Sequence, residues 1–333
     1  MIKSLVTGGA GFIGCHVVNH LIKMGHEVVV LDDLSGGSKN NINSQAIFIN
    51  GSVEDEELVK DIFNTHKFTY VYHLAAYAAE GLSHYVRMHN YRSNLMGSAS
   101  LINESINHDV KCFVFTSSIA VYGTNTLPMT ESAVPQPGDP YGISKYAIEL
   151  DLKAAYEMFG LNYVIFRPHN VYGEFQNIGD RYRNVIGIFM NQILNDRPLT
   201  IFGDGKQSRA FSYIDDVAPH IANAVNVPEA QNQIFNIGSD KVISINALAE
   251  IVIEVMGAES SIEYLEARNE VVHAYSDHTK LKHVFQIKDE SEASLRKGLD
   301  RMAVWVKEQG AKETKIYTDL EISKKISSHW MRH

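Results

Sequence analysis

A doubly wound α/β fold built on a parallel sheet is what this 333-residue sequence predicts, from three features. Short β-branched and aromatic runs alternate with helix-period stretches through the first half. The first of those runs opens into a glycine-rich turn, and an acidic residue, Asp32, closes the second. Near-continuous apolar strands suit a parallel sheet covered on both faces, and repeated strand–helix–strand units imply right-handed crossovers.

Taken in order, strands are expected at 4–7, 27–31, 47–50, 70–74, 112–117 and 163–167. A helix is expected over 13–24, with Ile13, Val17 and Leu21 on one face and Gly25 ending it. Another is expected over 144–159, closed by Gly160. After about Tyr172 the pattern loosens. Glycine, asparagine and arginine interrupt 173–184, and strand-like pieces at 199–202 and 234–237 are separated by helices. The organisation expected is a dinucleotide-binding domain over 1–172, rejoined by elements from roughly 211–238. A smaller α/β substrate-binding domain would occupy most of 173–333. The polar tail, 323–333, is expected to be loosely ordered.

Composition narrows the function. At 45% hydrophobic and 21% charged residues, the chain has the material for a large core rather than for disorder. Lys+Arg number 30 against 39 Asp+Glu, a net charge of −9, which argues against a binder of nucleic acid or anionic membrane. Two cysteines, Cys15 and Cys112, are too few for a disulfide framework or a thiolate metal site. No apolar run approaches the ~18 residues of a membrane helix, and the first residues lack the apolar core of a secretory signal. A soluble cytosolic enzyme is expected.

Thr7-Gly8-Gly9-Ala10-Gly11-Phe12-Ile13-Gly14 links the first strand to the first helix. Glycines there let the backbone turn tightly and approach a pyrophosphate, while the helix N-terminus offers free N–H groups and a positive dipole end. Asp32 ends the second strand, where a carboxylate can accept hydrogen bonds from an adenosine ribose. The next cation in sequence is Lys39, so a 2′-phosphate would meet repulsion. NAD is favoured over NADP on a Rossmann-type sheet.

Further on, Pro140-Tyr141-Gly142-Ile143-Ser144-Lys145 begins a helix, placing Tyr141 and Lys145 on one face. A phenol of ordinary pKa about 10 is a poor base at neutral pH. A nearby ammonium and the positive charge of an oxidised nicotinamide are both expected to lower it.

With these residues in place the chain resembles the extended short-chain dehydrogenase/reductases, and among them the nucleotide-sugar epimerases. The resemblance covers nearly the whole chain. It rests on the glycine turn, His73-Leu74-Ala75-Ala76, Thr116-Ser117-Ser118 with Val121-Tyr122-Gly123, the Tyr141/Lys145 pair, Arg167-Pro168-His169-Asn170-Val171-Tyr172-Gly173, and the run from Arg209 to Ala218. It implies that Tyr141 is the catalytic base, Lys145 its electrostatic partner and a ribose ligand, and Ser118 the hydroxyl that binds the reacting sugar oxygen. Gly8, Gly11, Phe12, Ile13 and Gly14 would cradle the NAD pyrophosphate. Asp32 would hold its ribose, and Ser52, Val53, Leu74, Ala75, Ala76, Asn94 and Pro168 would lie along the cofactor. On the substrate side it implies Asn170, Asn184, Phe202 against the uracil, Arg209 and Arg268 on the diphosphate, and Ala274 beside the sugar's 2-position.

This sequence departs from the family pattern in places. Ser52 replaces an aspartate near the adenine, Ala78 stands where a lysine approaches the pyrophosphate, and residues 77–89 are unusual. The reaction implied is 4-epimerisation of a UDP-hexose, UDP-glucose or UDP-galactose with N-acetylated forms possible, through a 4-keto sugar and transient NADH in a homodimer. The rivals are a 4,6-dehydratase, decarboxylase or other dehydrogenase/reductase of the same superfamily, and a non-catalytic NAD-sensing regulator. Ser118-Ile119-Ala120 lacks the carboxylate that dehydratases carry there.

Several motifs read more simply as structure. His16 and His20 have metal-ligand spacing but no third ligand, so they are read as surface or packing histidines. His273, His278 and His283, five apart, are not read as a metal site. Glu54-Asp55-Glu56-Glu57 is read as a solvated acidic helix start, and Cys112 as core.

Overall fold

The computed structural model describes residues 2–267, 273–287, 294–314 and 319–326. Seven parallel strands form the central sheet: β1 (Lys3–Thr7), β2 (Glu27–Asp32), β3 (Ile47–Asn50), β4 (Tyr70–His73), β5 (Cys112–Thr116), β6 (Tyr163–Pro168) and a later β11 (Gln233–Ile237). Their order across the sheet is β11-β6-β5-β4-β1-β2-β3. Each of the six strands expected in the first half is present within one residue at either end. The strand expected at 234–237 is β11, pairing in parallel with β6.

Helices cover both faces. Leu5, Val29, Leu31, Val71, Phe113, Phe115 and Ile165 bury one face under α2 (Glu56–Thr65), α5 (Gly97–Asn107) and α6 (Pro140–Phe159). The alternate residues Val6, Val28, Val30, Tyr72, Val114 and Phe166 pack with Val17 and Leu21 of α1 (Phe12–Lys23), and with elements from the second half. This alternation explains why the strands read as continuous apolar runs. Two short helices, α3 (Glu80–Ser83) and α4 (Arg87–Asn90), precede a π-helical stretch at Tyr91–Met96.

The second half contributes β7 (Val171–Tyr172), α7 (Val185–Leu194), β8 (Leu199–Phe202), β9 (Ser208–Ala210), β10 (Ser212–Tyr213), α8 (Ala218–Asn223), β12 (Val242–Ser244), α9 (Ile245–Met256), β13 (Ile262–Leu265), β14 (His273–Ala274), α10 (Thr279–Val284) and α11 (Ser294–Gln309). They form three small sheets, β10-β7, β12-β9-β14 and β13-β8. Among the described residues no helix is long and apolar enough to cross a membrane.

Strand order reverses between β1 and β4, so the carboxyl ends of those strands border the crevice where doubly wound sheets bind ligands. Thr7 and His73 are paired in register there, and Thr7 Oγ1 lies 2.7 Å from His73 Nδ1.

Candidate active site

The glycine turn sits on that switch point. Gly8 has φ +72°, and a Cβ on it would fall 2.6 Å from Ala75 N, so the turn and the end of β4 are pressed together. Leu74 N donates to Thr7 O and Ala75 N to Thr7 Oγ1, which closes the contact; Ala76 and Ala78 follow in the same half-buried stretch. Gly11 begins α1 with no side-chain cap and no acid in the first turn, leaving the amides of Phe12, Ile13 and Gly14 at an uncapped, positive helix end. Asp32 accepts hydrogen bonds from Ala10 N at 3.0 Å and Leu34 N at 2.8 Å, which fixes its carboxylate at the rim of the turn. Burial raises its pKa. These residues fit a dinucleotide: a tight glycine cradle, an uncapped helix end for phosphate and an anchored carboxylate for ribose. Ser52 holds Glu54 N, and Val53 is packed under Gly97.

α6 carries Tyr141 and Lys145. It starts at Pro140, one turn before the expected 144, because Asp139 caps it by accepting from Gly142 N at 3.0 Å. Its end is the left-handed Gly160. Tyr141, Lys145 and Glu149 follow at four-residue intervals, and all three are buried. Lys145 Nζ donates to Thr116 O at 2.8 Å and lies 5.9 Å from the centre of the Tyr141 ring. Burial lowers the lysine to about 7, against the opposing pull of Glu149.

Of the two charges expected to lower the phenol, the Lys145 ammonium does not do so in the protein alone. Burial pushes Tyr141 up to about 12; a hydrogen bond with Ser118 and the Arg183 charge pull it down, while the Glu80 and Asp139 carboxylates push it up. Lys145 is turned to the Thr116 carbonyl and does not offset the burial. Ser118 also caps the short turn at Ile119–Tyr122 through Ala120 N.

Residues 77–89 form one wall of this end. Ser83 Oγ donates to Glu80 O at 2.6 Å, lies 3.2 Å from Asp139 Oδ1 and accepts from Tyr141 N, tying α3 to the first turn of α6. Asn94 spends its amide on Tyr77, accepting from its N–H at 2.7 Å and donating to its carbonyl at 3.1 Å. Ala79, Leu82 and Val86 cluster with Tyr77, Tyr85, Tyr182 and Leu320. Glu321 accepts from Met88 N and His89 N at 2.7 and 2.8 Å, and Lys325 O accepts from Tyr85 OH. Within the described part of the expected loose tail, 323–326, the Lys325 carbonyl is the point held here, and 323–325 are exposed; 327–333 lie outside the described residues.

Opposite, Asn170 has φ +40° and donates to Ala210 O at 3.1 Å; Asn184 has φ +54°, caps α7 through Ile186 N and bonds Val171 O. Pro168 ends β6, and Phe202 ends β8, whose Leu199–Phe202 pair with Ile262–Leu265. Ala274 on β14 is paired with Arg209 on β9. Arg268 lies outside the described residues.

The chain matches the NAD dependent epimerase/dehydratase family over residues 4–238. It belongs to that family. A putative UDP-glucose 4-epimerase of Methanocaldococcus jannaschii is 37% identical over 306 residues, 91% of this chain and 98% of that protein. Among solved structures, the UDP-glucose 4-epimerase of Thermotoga maritima with UDP-glucose matches at a TM-score of 0.87 and 35% identity, covering 92% of this chain and 99% of that one. The UDP-glucuronic acid 4-epimerase of Bacillus cereus, in complex with UDP-glucuronic acid and NAD, matches at 0.84 and 28%, covering 92% and 100%. This chain is an enzyme of the epimerase/dehydratase family, and NAD is a bound cofactor among its structural neighbours.

Within the family frame, some participants were missed in the sequence. Glu149 continues the Tyr141–Lys145 spacing and could have been found from it. Arg183 and Glu80 reach the field of Tyr141 from segments whose sequence carries no periodic signal. His16 donates to Glu174 O and packs between Phe12 and Phe175, as a packing histidine does. Burial raises Cys15 and Cys112 to about 12, so neither is a thiolate. Asp55 caps α2 through Leu58 N.

Proposed function

We propose that this enzyme is an NAD-dependent 4-epimerase of UDP-hexoses, interconverting UDP-glucose and UDP-galactose. The observation that carries the proposal is the convergence of Ser118, Tyr141 and Lys145 at the carboxyl end of β5, one strand from the switch point where the glycine turn and Asp32 offer a dinucleotide cradle. Gly8, Gly11, Phe12, Ile13, Gly14, Asp32 and Lys145 would hold NAD, in a cofactor half spanning 1–172. NAD supplies a reversible acceptor for the hydrogen on C4 of the sugar.

Tyr141 takes the 4-hydroxyl proton in one direction and returns it in the other. Its phenol is held high by burial, so the positive charge that oxidised NAD would bring when bound would have to supply the lowering that Lys145 alone does not. Ser118 orients the sugar oxygen. Asn170 from the end of the 1–172 half, with Asn184, Phe202 and Arg209 from the 173–333 half, would hold the nucleotide, Phe202 against the uracil and Arg209 and Arg268 on the diphosphate. That grip lets the keto sugar turn over its other face without leaving. Exposed Ile143, Leu150 and Met96 on and beside α6 support a homodimer formed through this helix.

A second reading, a 4,6-dehydratase, is favoured by one observation: Glu80 puts a carboxylate into the field of Tyr141, which Ile119 and Ala120 do not. Incubating the protein with UDP- and GDP-sugars and separating products by chromatography tests both. Inversion at C4 without loss of water is expected. A 4-keto-6-deoxy product would establish the dehydratase, and no turnover of any UDP-hexose would overturn the epimerase.

A further inference from the structure

The segment 173–184 belongs to the second half of the chain, yet one of its side chains reaches the cradle of the first. Arg183 is held on both sides. Tyr182 before it packs in the wall cluster with Ala79, Leu82 and Val86. Asn184 after it is fixed by its bonds to Ile186 N and Val171 O. Between these anchors Arg183 Nε donates to Asp180 Oδ2 at 2.6 Å. The Asp180 side chain is itself set by accepting from Tyr182 N at 2.9 Å, and it is 12% exposed against 35% for Arg183.

The far end of the guanidinium meets the cofactor half. A Cβ on Gly36 would fall 3.7 Å from Arg183 Nη2, an ordinary van der Waals contact. Gly36 lies in the loop after β2, and that loop is pressed onto the glycine turn. Ser38 N and Asn41 Nδ2 both donate to Ala10 O at 3.0 Å, and a Cβ on Gly37 would fall 2.7 Å from the same oxygen. The Arg183 charge also acts on Tyr141 across the crevice. Asp32 marks the ribose end of the cradle and Tyr141 the reacting end, so the cation stands between them. That is where the diphosphate of a dinucleotide has to lie.

Charge balance gives the guanidinium a task there. A diphosphate carries a negative charge on each phosphate, and the uncapped end of α1 answers with about half an elementary charge. Asp33 adds a further carboxylate beside Asp32. An arginine stays ionised at any working pH and presents its N–H groups in a planar fork that matches a phosphate. Among the described residues Asp180 is the hydrogen-bond partner of Arg183, and it takes Nε, leaving the Nη2 side toward the cradle.

We propose that Arg183 is a clamp on the NAD diphosphate, closing the glycine cradle from the substrate half. This role rests on the NAD reading of the cradle and goes beyond it by giving a residue of 173–184 a part in cofactor retention. NAD cannot lift from the turn without breaking a charge-assisted pair or moving this segment away from Gly36. A keto sugar that turns over in the site needs NADH to stay in place, and this contact holds it independently of the sugar.

Exchange of bound NAD against isotopically labelled NAD, followed on the purified holoenzyme by rapid gel filtration, measures the clamp. Arg183→Met keeps the stem and removes the fork, and should speed exchange by about ten- to a hundredfold, the worth of a charge-assisted hydrogen bond. Arg183→Lys keeps the charge without the fork and should fall between Arg183→Met and wild type. Circular dichroism should be unchanged in both, and calorimetric titration with UDP should give the wild-type affinity. Exchange in Arg183→Met within about twofold of wild type overturns the clamp. So does a loss of UDP affinity of about tenfold or more, which would place Arg183 on the substrate. If wild type neither retains NAD nor binds it when added, the NAD reading falls and the clamp with it; a failure of the clamp alone shows only in the variants.

Discussion

Glu149 on α6 and Arg167 on β6 form an ion pair sealed in the core, with each side chain 2% exposed. Glu149 Oε1 accepts from Ser117 Oγ at 2.6 Å and from Arg167 Nε at 2.9 Å. The guanidinium lies 4.7 Å over the Tyr122 ring, and Tyr122 OH donates to Asn236 Oδ1 on β11. The helix bearing Tyr141 is thereby bolted to β6, to β11 and to the residue that follows β5.

Glu149→Gln should lower stability to urea by about 3–5 kcal/mol, because it strands a buried guanidinium. It also removes the charge that raises Lys145, so the lysine should lose its proton at lower pH and the alkaline limb of activity should move down. Replacing both partners, Glu149→Leu with Arg167→Met, should recover much of the stability. A single variant within about 1 kcal/mol of wild type would show that the pair is not a structural bolt.

Tyr141→Phe removes the proton acceptor and keeps the ring. Thermal unfolding should be little changed while C4 inversion falls by about two to four orders of magnitude. Near wild-type turnover in this variant would sink the proposed mechanism.

Asp32→Ala should release NAD during gel filtration while the fold, read by circular dichroism, survives. A cation introduced beside it, Asp33→Arg, should shift retention toward NADP. Purified wild-type protein carrying NADP would contradict the reading of Asp32.

Ala274→Tyr should narrow the sugar pocket. The ratio of kcat/KM for UDP-N-acetylgalactosamine over UDP-galactose should drop by about 1–3 kcal/mol, the worth of a few heavy atoms in a pocket. An unchanged ratio would move the gate to residues 77–89.

Acid should unfold the protein through its buried neutral histidines. Burial holds His73 and His169 to about 3 against the ordinary 6.5. Between those values the unfolded chain binds more protons, so stability present above 6.5 is lost as pH falls. Each contributes about 2 kcal/mol of loss by pH 5. Urea midpoints at pH 7 and pH 5 measure it, and equal midpoints would refute it.

The sheet was legible because its strands are buried on both faces and bounded by glycine or acidic punctuation: Gly8 and Asp32 are visible in one dimension. Tyr141, Lys145 and the cradle were legible for the same reason, since turn chemistry and helical spacing are local. The protonation of Tyr141 was not. It depends on Glu80, Asp139, Arg183 and burial, which the fold alone brings together. His278 was likewise seen only as one of three evenly spaced histidines, because its partner His169 lies 109 residues away.

The strap at 319–326 makes the wall over α3 and α4 a two-part component. Swapping residues 77–89 into a related scaffold without that strap would leave the amides of Met88 and His89 without the Glu321 carboxylate, and Tyr85 without Lys325. Anyone grafting this wall between related enzymes should move the two segments together, as a single interchangeable module.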